Sequence, residues 1–211
     1  MSPAVRVRVV RESAERDCGN APQRCPVALL LIDVINDMEF DGGRTLMEQA
    51  VAMARRIASL KQRAKRLGIP VIYANDNFGR WQSDFRKVVA HCLEDGVTGQ
   101  PLVRLLVPEE DDYFVLKPRH SAFYATTMDL LLAYIGARTL ILTGIAGNIC
   151  ILFSANDAYM REYEVIVPQD CTISNSDEEN RHALAQIRKV LKADVAPSDE
   201  LDLDALVRRR L

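Results

Sequence analysis

Three side chains that could take part in one reaction each follow a separate apolar segment of the sequence. They are Asp33, Lys117 and Cys150. A thiolate can attack a carbonyl carbon, a carboxylate can first take the proton of the thiol, and an ammonium group can orient that carboxylate. The three residue types therefore indicate a candidate site for cysteine-dependent acyl transfer.

The acidity of these groups decides whether such a reaction could run near neutral pH. A thiol has an ordinary pKa of about 8.5, and the position of Cys150 in the first turn of a helix is expected to lower that value. Asp33 would need partial burial to raise its pKa, with Lys117 moderating the shift. The backbone N–H groups of Ala146 and Cys150 could point at the oxyanion that develops on the carbonyl oxygen.

Each of the three residues also has a common structural explanation. Asp33 could cap a turn, Lys117 could extend along the surface, and Cys150 could fill a gap in the core. Against this, all three follow predicted strands, and ligands of open parallel sheets bind at the carboxyl ends of the strands. The residues alone leave the structural and the catalytic interpretations open.

The elements that must position these side chains can be predicted from hydrophobic periodicity. Short apolar segments separated by stretches of helical period are typical of a parallel sheet with crossover helices. The predicted strands cover 27–32, 70–74, 113–116, 139–143, 164–167 and, as a short sixth strand, 194–196. The predicted helices cover 46–67, 83–93, 126–135, about 148–161, 176–191 and a C-terminal segment from 198, with capping boxes at 126–129 and 176–179.

Composition bounds the class of protein. The chain has 211 residues, of which 48% are hydrophobic and 27% charged, so it can bury one substantial core. The net charge of −2 gives no indication of nucleic-acid binding, and the longest apolar run, 27–32, is too short to cross a bilayer. We expect a cytoplasmic protein with a small-molecule substrate, whose residues 1–26 form an N-terminal extension or arm and whose residues 27–211 form one domain.

Cysteine and histidine usage gives no sign of a disulfide framework or of structural zinc. The five cysteines form no CxxC pair, and their odd number argues against a complete set of disulfides. The three histidines, His91, His120 and His182, are not spaced for a zinc site. No role is predicted for the remaining cysteines, which are Cys18, Cys25, Cys92 and Cys171.

From residue 27 to residue 196 the chain resembles the isochorismatase-like cysteine hydrolase superfamily. The segments that carry the resemblance are Leu31-Ile-Asp-Val-Ile-Asn-Asp-Met38, Lys117-Pro-Arg-His-Ser-Ala-Phe123 and Leu142-Thr-Gly-Ile-Ala-Gly-Asn-Ile-Cys150. The resemblance implies a three-layer α/β/α sandwich around a mostly parallel, Rossmann-like sheet of about six strands. It also implies an Asp33–Lys117–Cys150 catalytic triad, a cis peptide bond between Ile145 and Ala146, and a homodimer or homotetramer.

One departure from the family concerns metal binding. Nicotinamidase-type members bind a metal through an Asp-x-His motif and a later histidine after the second strand, where this chain reads Asn75-Asp-Asn-Phe-Gly-Arg-Trp81. We therefore expect neither a catalytic metal nor another cofactor, and a pyridine carboxamide substrate is disfavoured. Asn77, Trp81 and Arg119 lie in loops that are expected to overhang the triad and are candidate substrate-binding residues.

The resemblance leaves three functions to distinguish. The leading hypothesis is hydrolysis of a small amide, ureido or carbamoyl C–N bond through a thioester on Cys150, with Asp33 as the base in both halves of the reaction. Family members that cleave a vinyl ether need no nucleophilic thiol, so the presence of Cys150 favours the amidase-like branch. The alternatives are such an isochorismatase-type hydrolase and a non-catalytic binding protein on the same fold.

Overall fold

A computed structural model describes residues 24–76 and 84–209, and the N-terminal 23 residues predicted as part of an arm lie outside the described residues. Its centre is a parallel sheet with the strand order β3-β2-β1-β4-β5, in which β6 also pairs with β4. The strands are β1 (Val27–Ile32), β2 (Val71–Asp76), β3 (Tyr113–Lys117), β4 (Thr139–Ile145), β5 (Glu164–Ile166) and β6 (Thr172–Ile173). The prediction of a mostly parallel sheet of about six strands is confirmed.

Helices cover both faces of this sheet and complete the three-layer α/β/α sandwich. They are α1 (Gly43–Arg66), α2 (Phe85–Glu94), α3 (Gln100–Leu105), α4 (Met128–Ile135), α5 (Leu152–Met160), α6 (Asp177–Val190) and α7 (Leu203–Arg208). Buried side chains of α1, α2, α3 and α7 form a core with one face of the sheet, and those of α4, α5 and α6 form a second core with the other face. No helix within the described ranges is long and apolar enough to span a membrane.

The apolar run of β1 is continuous because the strand lies in the middle of the sheet. All six of its residues are buried, and it pairs with β2 on one side and β4 on the other. A strand buried on both faces needs apolar side chains at every position. Helix α1 shows the helical period, in which apolar residues recur every three or four positions. Its predicted apolar stripe from Leu46 to Ala64 is buried against the sheet.

The prediction of a sixth strand at 194–196 is wrong. Asp194 makes only an isolated bridge to Ile166, and its carboxylate accepts a hydrogen bond from the backbone N–H of Ala196 at 2.9 Å. This local bond turns the chain away from the sheet, because an Asp side chain competes with the ladder for backbone donors. The sixth strand is instead β6, which has only two residues and is therefore too short to produce a hydrophobic pattern.

The side-chain cap forms at one of the two predicted capping boxes. The Ser176 hydroxyl accepts a hydrogen bond from the Glu179 backbone N–H at the start of α6, as predicted. Helix α4 instead starts after Thr127, whose side chain makes no capping bond. The Thr126 hydroxyl donates to the carbonyl of Ala122 at 2.7 Å and accepts from the backbone N–H of Met128 at 3.2 Å, so it links the preceding turn to the first residue of α4.

Candidate active site

Asp33, Lys117 and Cys150 meet at the carboxyl edge of the sheet. Asp33 directly follows β1, Lys117 is the last residue of β3, and Cys150 lies in a single π-helical turn, Gly147–Ile151, between β4 and α5. The Lys117 Nζ atom lies 2.8 Å from Oδ2 of Asp33 and 3.6 Å from Sγ of Cys150. Strand β2 lies between β1 and β3, so the long lysine side chain is what brings its charge to the other two groups.

The end of β2 fixes the position of the Asp33 carboxylate. Asp33 has a positive φ of 52°, its backbone N–H donates to the Ala74 carbonyl, and its Oδ1 atom accepts from the Asp76 backbone N–H at 2.8 Å. Only 6% of the residue is exposed. Burial raises the pKa of Asp33, and the neighbouring Lys117 ammonium limits the rise. Asp33 is therefore a stronger proton acceptor than an exposed aspartate.

The Lys117 ammonium is completely buried and contacts acceptors on several sides. Besides Asp33 and Cys150, its Nζ atom donates to the Arg119 carbonyl at 3.2 Å and lies 3.9 Å from Oδ2 of Asp76. Burial disfavours the ammonium, but attraction to the Asp33 carboxylate outweighs this and raises the pKa of Lys117 above its ordinary value. Lys117 thus brings a positive charge to within 3.6 Å of the sulfur.

The resting Cys150 is a thiol, which differs from the expectation of a lowered pKa at a helix N-terminus. Burial, together with the adjacent Asp33 carboxylate, raises the pKa of Cys150 to about 12, although Lys117 acts in the opposite direction. The negative charge beside the sulfur and its removal from water outweigh the helix terminus. Loss of the thiol proton is therefore favourable only when Asp33 takes it up.

The turn that carries Cys150 is held by side chains of the next crossover. The backbone N–H of Asn148 donates to Oγ of Ser174 at 3.0 Å, and this hydroxyl donates to Oδ1 of Asn180 at 2.9 Å. Both side chains press against Gly147, where a Cβ atom would overlap the Asn180 oxygen. A larger residue at position 147 would therefore have to displace these two side chains or the turn itself.

The peptide bond between Ile145 and Ala146 at the start of this turn is cis. The Ala146 carbonyl accepts hydrogen bonds from the N–H groups of Ile149 and Ile151 at 3.0 and 3.1 Å. Ahead of it, Gly144 has a φ of 121°, and a Cβ atom there would overlap the Ile32 carbonyl. The role of the Ala146 and Cys150 N–H groups as an oxyanion hole stays a prediction.

His120 is a site residue that the sequence did not identify. Its Nδ1 atom lies 4.0 Å from Sγ of Cys150, and its ring packs against that of Phe153 with centroids 5.5 Å apart. The only signal in the sequence was its position three residues after Lys117, which did not reveal the direction of its side chain. His120 is exposed. The Cys150 sulfur therefore has an exposed imidazole beside it as well as the buried Asp33 and Lys117.

Of the three predicted substrate-binding residues, the structure describes Arg119 alone. Asn77 and Trp81 lie outside the described residues. Arg119 is exposed near the site, and its backbone carbonyl binds Lys117. Cys25, Cys92 and Cys171 are buried free cysteines, and Cys18 lies outside the described residues.

A metal of the nicotinamidase type requires a cluster of suitable ligands. Within residues 24–76 and 84–209, no three side chains of His, Cys, Asp or Glu are grouped so that they could hold a metal ion. The position two residues after Asp76, where the motif needs a histidine, is Phe78. The described side chains therefore do not fit this metal site.

Comparison with known proteins identifies the family of the chain. The sequence model of the isochorismatase domain matches residues 27–200. The chain belongs to the isochorismatase family, as the three segments around Asp33, Lys117 and Cys150 predicted, and this family includes amidases and nicotinamidases that act on C–N bonds.

Three relatives show how far the likeness extends. The uncharacterised isochorismatase family protein YaaI of Bacillus subtilis is 44% identical over 174 residues, which cover 82% of this chain and 95% of YaaI. The ureidoacrylate amidohydrolase RutB of Methylorubrum extorquens is 45% identical over 80 residues, 38% of this chain and only 32% of RutB. The crystal structure of N-carbamoylsarcosine amidase from Thermoplasma acidophilum superposes with a TM-score of 0.66 at 28% identity, covering 83% of this chain and 98% of that one.

Proposed function

We propose that this protein hydrolyses a small amide, ureido or carbamoyl C–N bond through a thioester on Cys150. The observation that carries the proposal is the position of Lys117 Nζ, which lies 2.8 Å from the Asp33 carboxylate and 3.6 Å from the Cys150 sulfur. An ammonium that touches both groups links a proton acceptor to a nucleophile. The amidohydrolase activities of RutB and of N-carbamoylsarcosine amidase support the same bond type.

The first half of the reaction uses the buried pair. Asp33 takes the thiol proton of Cys150 as the sulfur attacks the carbonyl carbon, and the positive charge of Lys117 stabilises the thiolate that forms. The C–N bond of the tetrahedral intermediate then breaks, and the leaving nitrogen takes the proton from Asp33. The N–H groups of Ala146 and Cys150 are the proposed donors to the oxyanion. Water finally hydrolyses the thioester and releases the acid.

The raised pKa of Asp33 suits this role. A general base works best when its pKa lies near the pH of the reaction, and an exposed aspartate would be too acidic to take a proton from a thiol. Burial of Asp33 raises its pKa towards that of its partner. The same burial keeps Cys150 protonated at rest, so the thiolate forms together with attack on the substrate.

The test is turnover by matched variants of the nucleophile. Primary amides, ureido acids and N-carbamoyl amino acids would be screened with the wild type, and the best substrate compared with Cys150→Ala, Cys150→Ser and, as a control, Cys92→Ala. We expect turnover to vanish in both Cys150 variants and to persist in the Cys92 variant. Retained turnover in Cys150→Ala would favour vinyl-ether hydrolysis without a thiol, and no turnover on any substrate would favour a binding protein. The homodimer or homotetramer implied by the resemblance stays a prediction, which light scattering would check.

A further inference from the structure

His120 differs from the other two groups beside the Cys150 sulfur in its access to solvent. Asp33 and Lys117 are 6% and 0% exposed, whereas His120 is exposed although its Nδ1 atom lies 4.0 Å from the sulfur. The tilted contact with Phe153 holds the imidazole ring beside the sulfur. Of these three groups, His120 is therefore the one that is open to solvent water.

The two Asp33 oxygens are already occupied by protein donors. Oδ1 accepts the Asp76 backbone N–H at 2.8 Å, and Oδ2 accepts the Lys117 ammonium at 2.8 Å. Each carboxylate oxygen can accept a second hydrogen bond, so Asp33 can exchange a proton with the neighbouring thiol, but only 6% of the residue is exposed to water. An acceptor on the exposed side of the sulfur is therefore better placed to receive a proton from an incoming water.

We propose that His120 is the general base for hydrolysis of the thioester, a step that rests on the proposed function of Cys150. Neutral His120 takes one proton from water at Nδ1, and the hydroxide oxygen forms a bond to the thioester carbon. The C–S bond of the resulting tetrahedral intermediate breaks, and the sulfur leaves as a thiolate. The imidazolium returns its proton to that sulfur, which restores the Cys150 thiol and neutral His120. The carbonyl carbon is one bond from Sγ, so a base 4.0 Å from the sulfur can serve both transfers.

This assignment makes thioester hydrolysis depend on pH in a defined direction. Only the neutral imidazole accepts a proton, so the rate of hydrolysis should fall once the pH is low enough to protonate His120. Within the described residues, the Cys150 thiol lies 4.0 Å from the ring, and the Lys117 ammonium lies behind that thiol together with the Asp33 and Asp76 carboxylates. Arg119 is next to His120 in the chain. In the thioester form, Cys150 no longer titrates.

The test separates formation of the thioester from its hydrolysis. With p-nitrophenyl acetate as the probe, release of nitrophenolate in the first turnover reports acylation, and the steady rate reports hydrolysis of the acetyl thioester. We expect His120→Gln to keep the first-turnover burst, to slow the steady rate by roughly 10²-fold, and to accumulate acetylated protein detectable by intact-protein mass spectrometry. The control His182→Gln replaces an exposed histidine of α6 and should behave as wild type.

Two further readouts distinguish a base from a residue that only fills space. The wild type should lose steady rate towards low pH, and His120→Gln should lack this dependence. Free imidazole should restore hydrolysis in His120→Ala. If His120→Gln keeps the steady rate and the pH profile of the wild type, the inference is overturned and Asp33 remains as the base. Failure of the proposed function has a different signature, since the wild type itself would then show neither a burst nor a Cys150 adduct, which would overturn both proposals.

Discussion

The Lys117 ammonium and the Asp33 carboxylate form an ion pair of 2.8 Å at the carboxyl edge of the sheet, and both residues are buried. Each of these two buried charges compensates the other, and removing either one would leave an uncompensated charge that destabilises the fold. The same pair controls the Cys150 thiol, whose pKa Asp33 raises and Lys117 lowers. Three of the predictions below follow from altering this pair or the turn that faces it.

Removing Lys117 should destabilise the fold in a pH-dependent way. Lys117→Met leaves Asp33 buried without its partner, which we expect to cost about 3–5 kcal/mol at pH 8. The pKa of Asp33, already raised by burial, should rise further without Lys117. As the pH falls from 8 to 5, the lone carboxyl takes up a proton in the folded state, so the difference in unfolding free energy from the wild type should shrink. Urea unfolding at the two pH values measures this difference.

Lys65→Met is the matched control. Lys65 pairs with the exposed Glu109 and Asp111, whose pKa values lie below the ordinary range because hydrogen bonds from lysine stabilise the carboxylates. It also pairs with the buried Asp112, which has a second ion pair of 2.6 Å with Lys61. Without Lys65 the exposed carboxylates are still solvated and Asp112 still has Lys61 as its partner, so the loss of stability should be the same at pH 8 and pH 5. If the loss of unfolding free energy in Lys117→Met were also the same at pH 8 and pH 5, this would show that Asp33 does not gain a proton between these pH values.

Asp33→Asn should make the thiol easier to alkylate and the enzyme slower. In the wild type the rate of Cys150 alkylation by iodoacetamide should still be rising above pH 9, since the thiol has a pKa of about 12. Removing the Asp33 charge leaves the lowering effect of Lys117, so the rise should begin at lower pH. Turnover should fall by about 10³-fold because the general base is gone.

Peptide mapping supplies the control for this prediction. Cys92 is buried elsewhere, and burial raises its pKa to about 12 without a contribution from Asp33. Its alkylation should be the same in the wild type and in Asp33→Asn. A wild-type Cys150 rate that levels off below pH 7 would contradict the prediction, because it would mean that the resting sulfur is already a thiolate.

Much of this site could be predicted because its residues follow strong signals. The run of six buried apolar residues in β1 placed Asp33 at the end of a central strand. The strands before Lys117 and Cys150 had the same apolar character, and parallel strands bring such positions to one edge. The shared edge, and the family to which the chain belongs, therefore follow from local sequence patterns.

What could not be predicted depends on tertiary contacts. The two-residue strand β6 exists because it can pair with the end of β4, next to Gly144 and Ile145. The direction of the His120 side chain depends on Phe153 in a helix 33 positions away. The raised pKa of Cys150 results from burial and from Asp33, neither of which a sequence position reveals.

Gly147→Ala should displace the turn that carries the nucleophile. The new Cβ atom would overlap the Asn180 oxygen and press on the Ser174 hydroxyl, and overpacking of this kind costs about 1–3 kcal/mol. We expect kcat to fall more than stability alone explains, because Asn148 and Cys150 move with the turn. Steady-state kinetics and thermal unfolding measure the two effects.

A second substitution tests the cause of this loss. In Gly147→Ala combined with Asn180→Ala the overlapping oxygen is absent, so the double variant should recover part of the kcat lost in Gly147→Ala. A double-mutant cycle with Asn180→Ala alone isolates the coupling between the two positions. Purely additive losses would show that the contact between residues 147 and 180 does not position the turn.

The proposed mechanism depends most on a covalent bond between Cys150 and the acyl group of the substrate. The direct measurement is intact-protein mass spectrometry after acid quenching of the wild type during turnover of an amide, ureido or N-carbamoyl substrate, followed by peptide mapping. The thioester mechanism predicts a mass increase equal to the acyl group, located on the peptide that contains Cys150 and absent from Cys150→Ala. Turnover that proceeds at an unchanged rate in Cys150→Ala, with no acylated peptide in the wild type at any quench time, would contradict it.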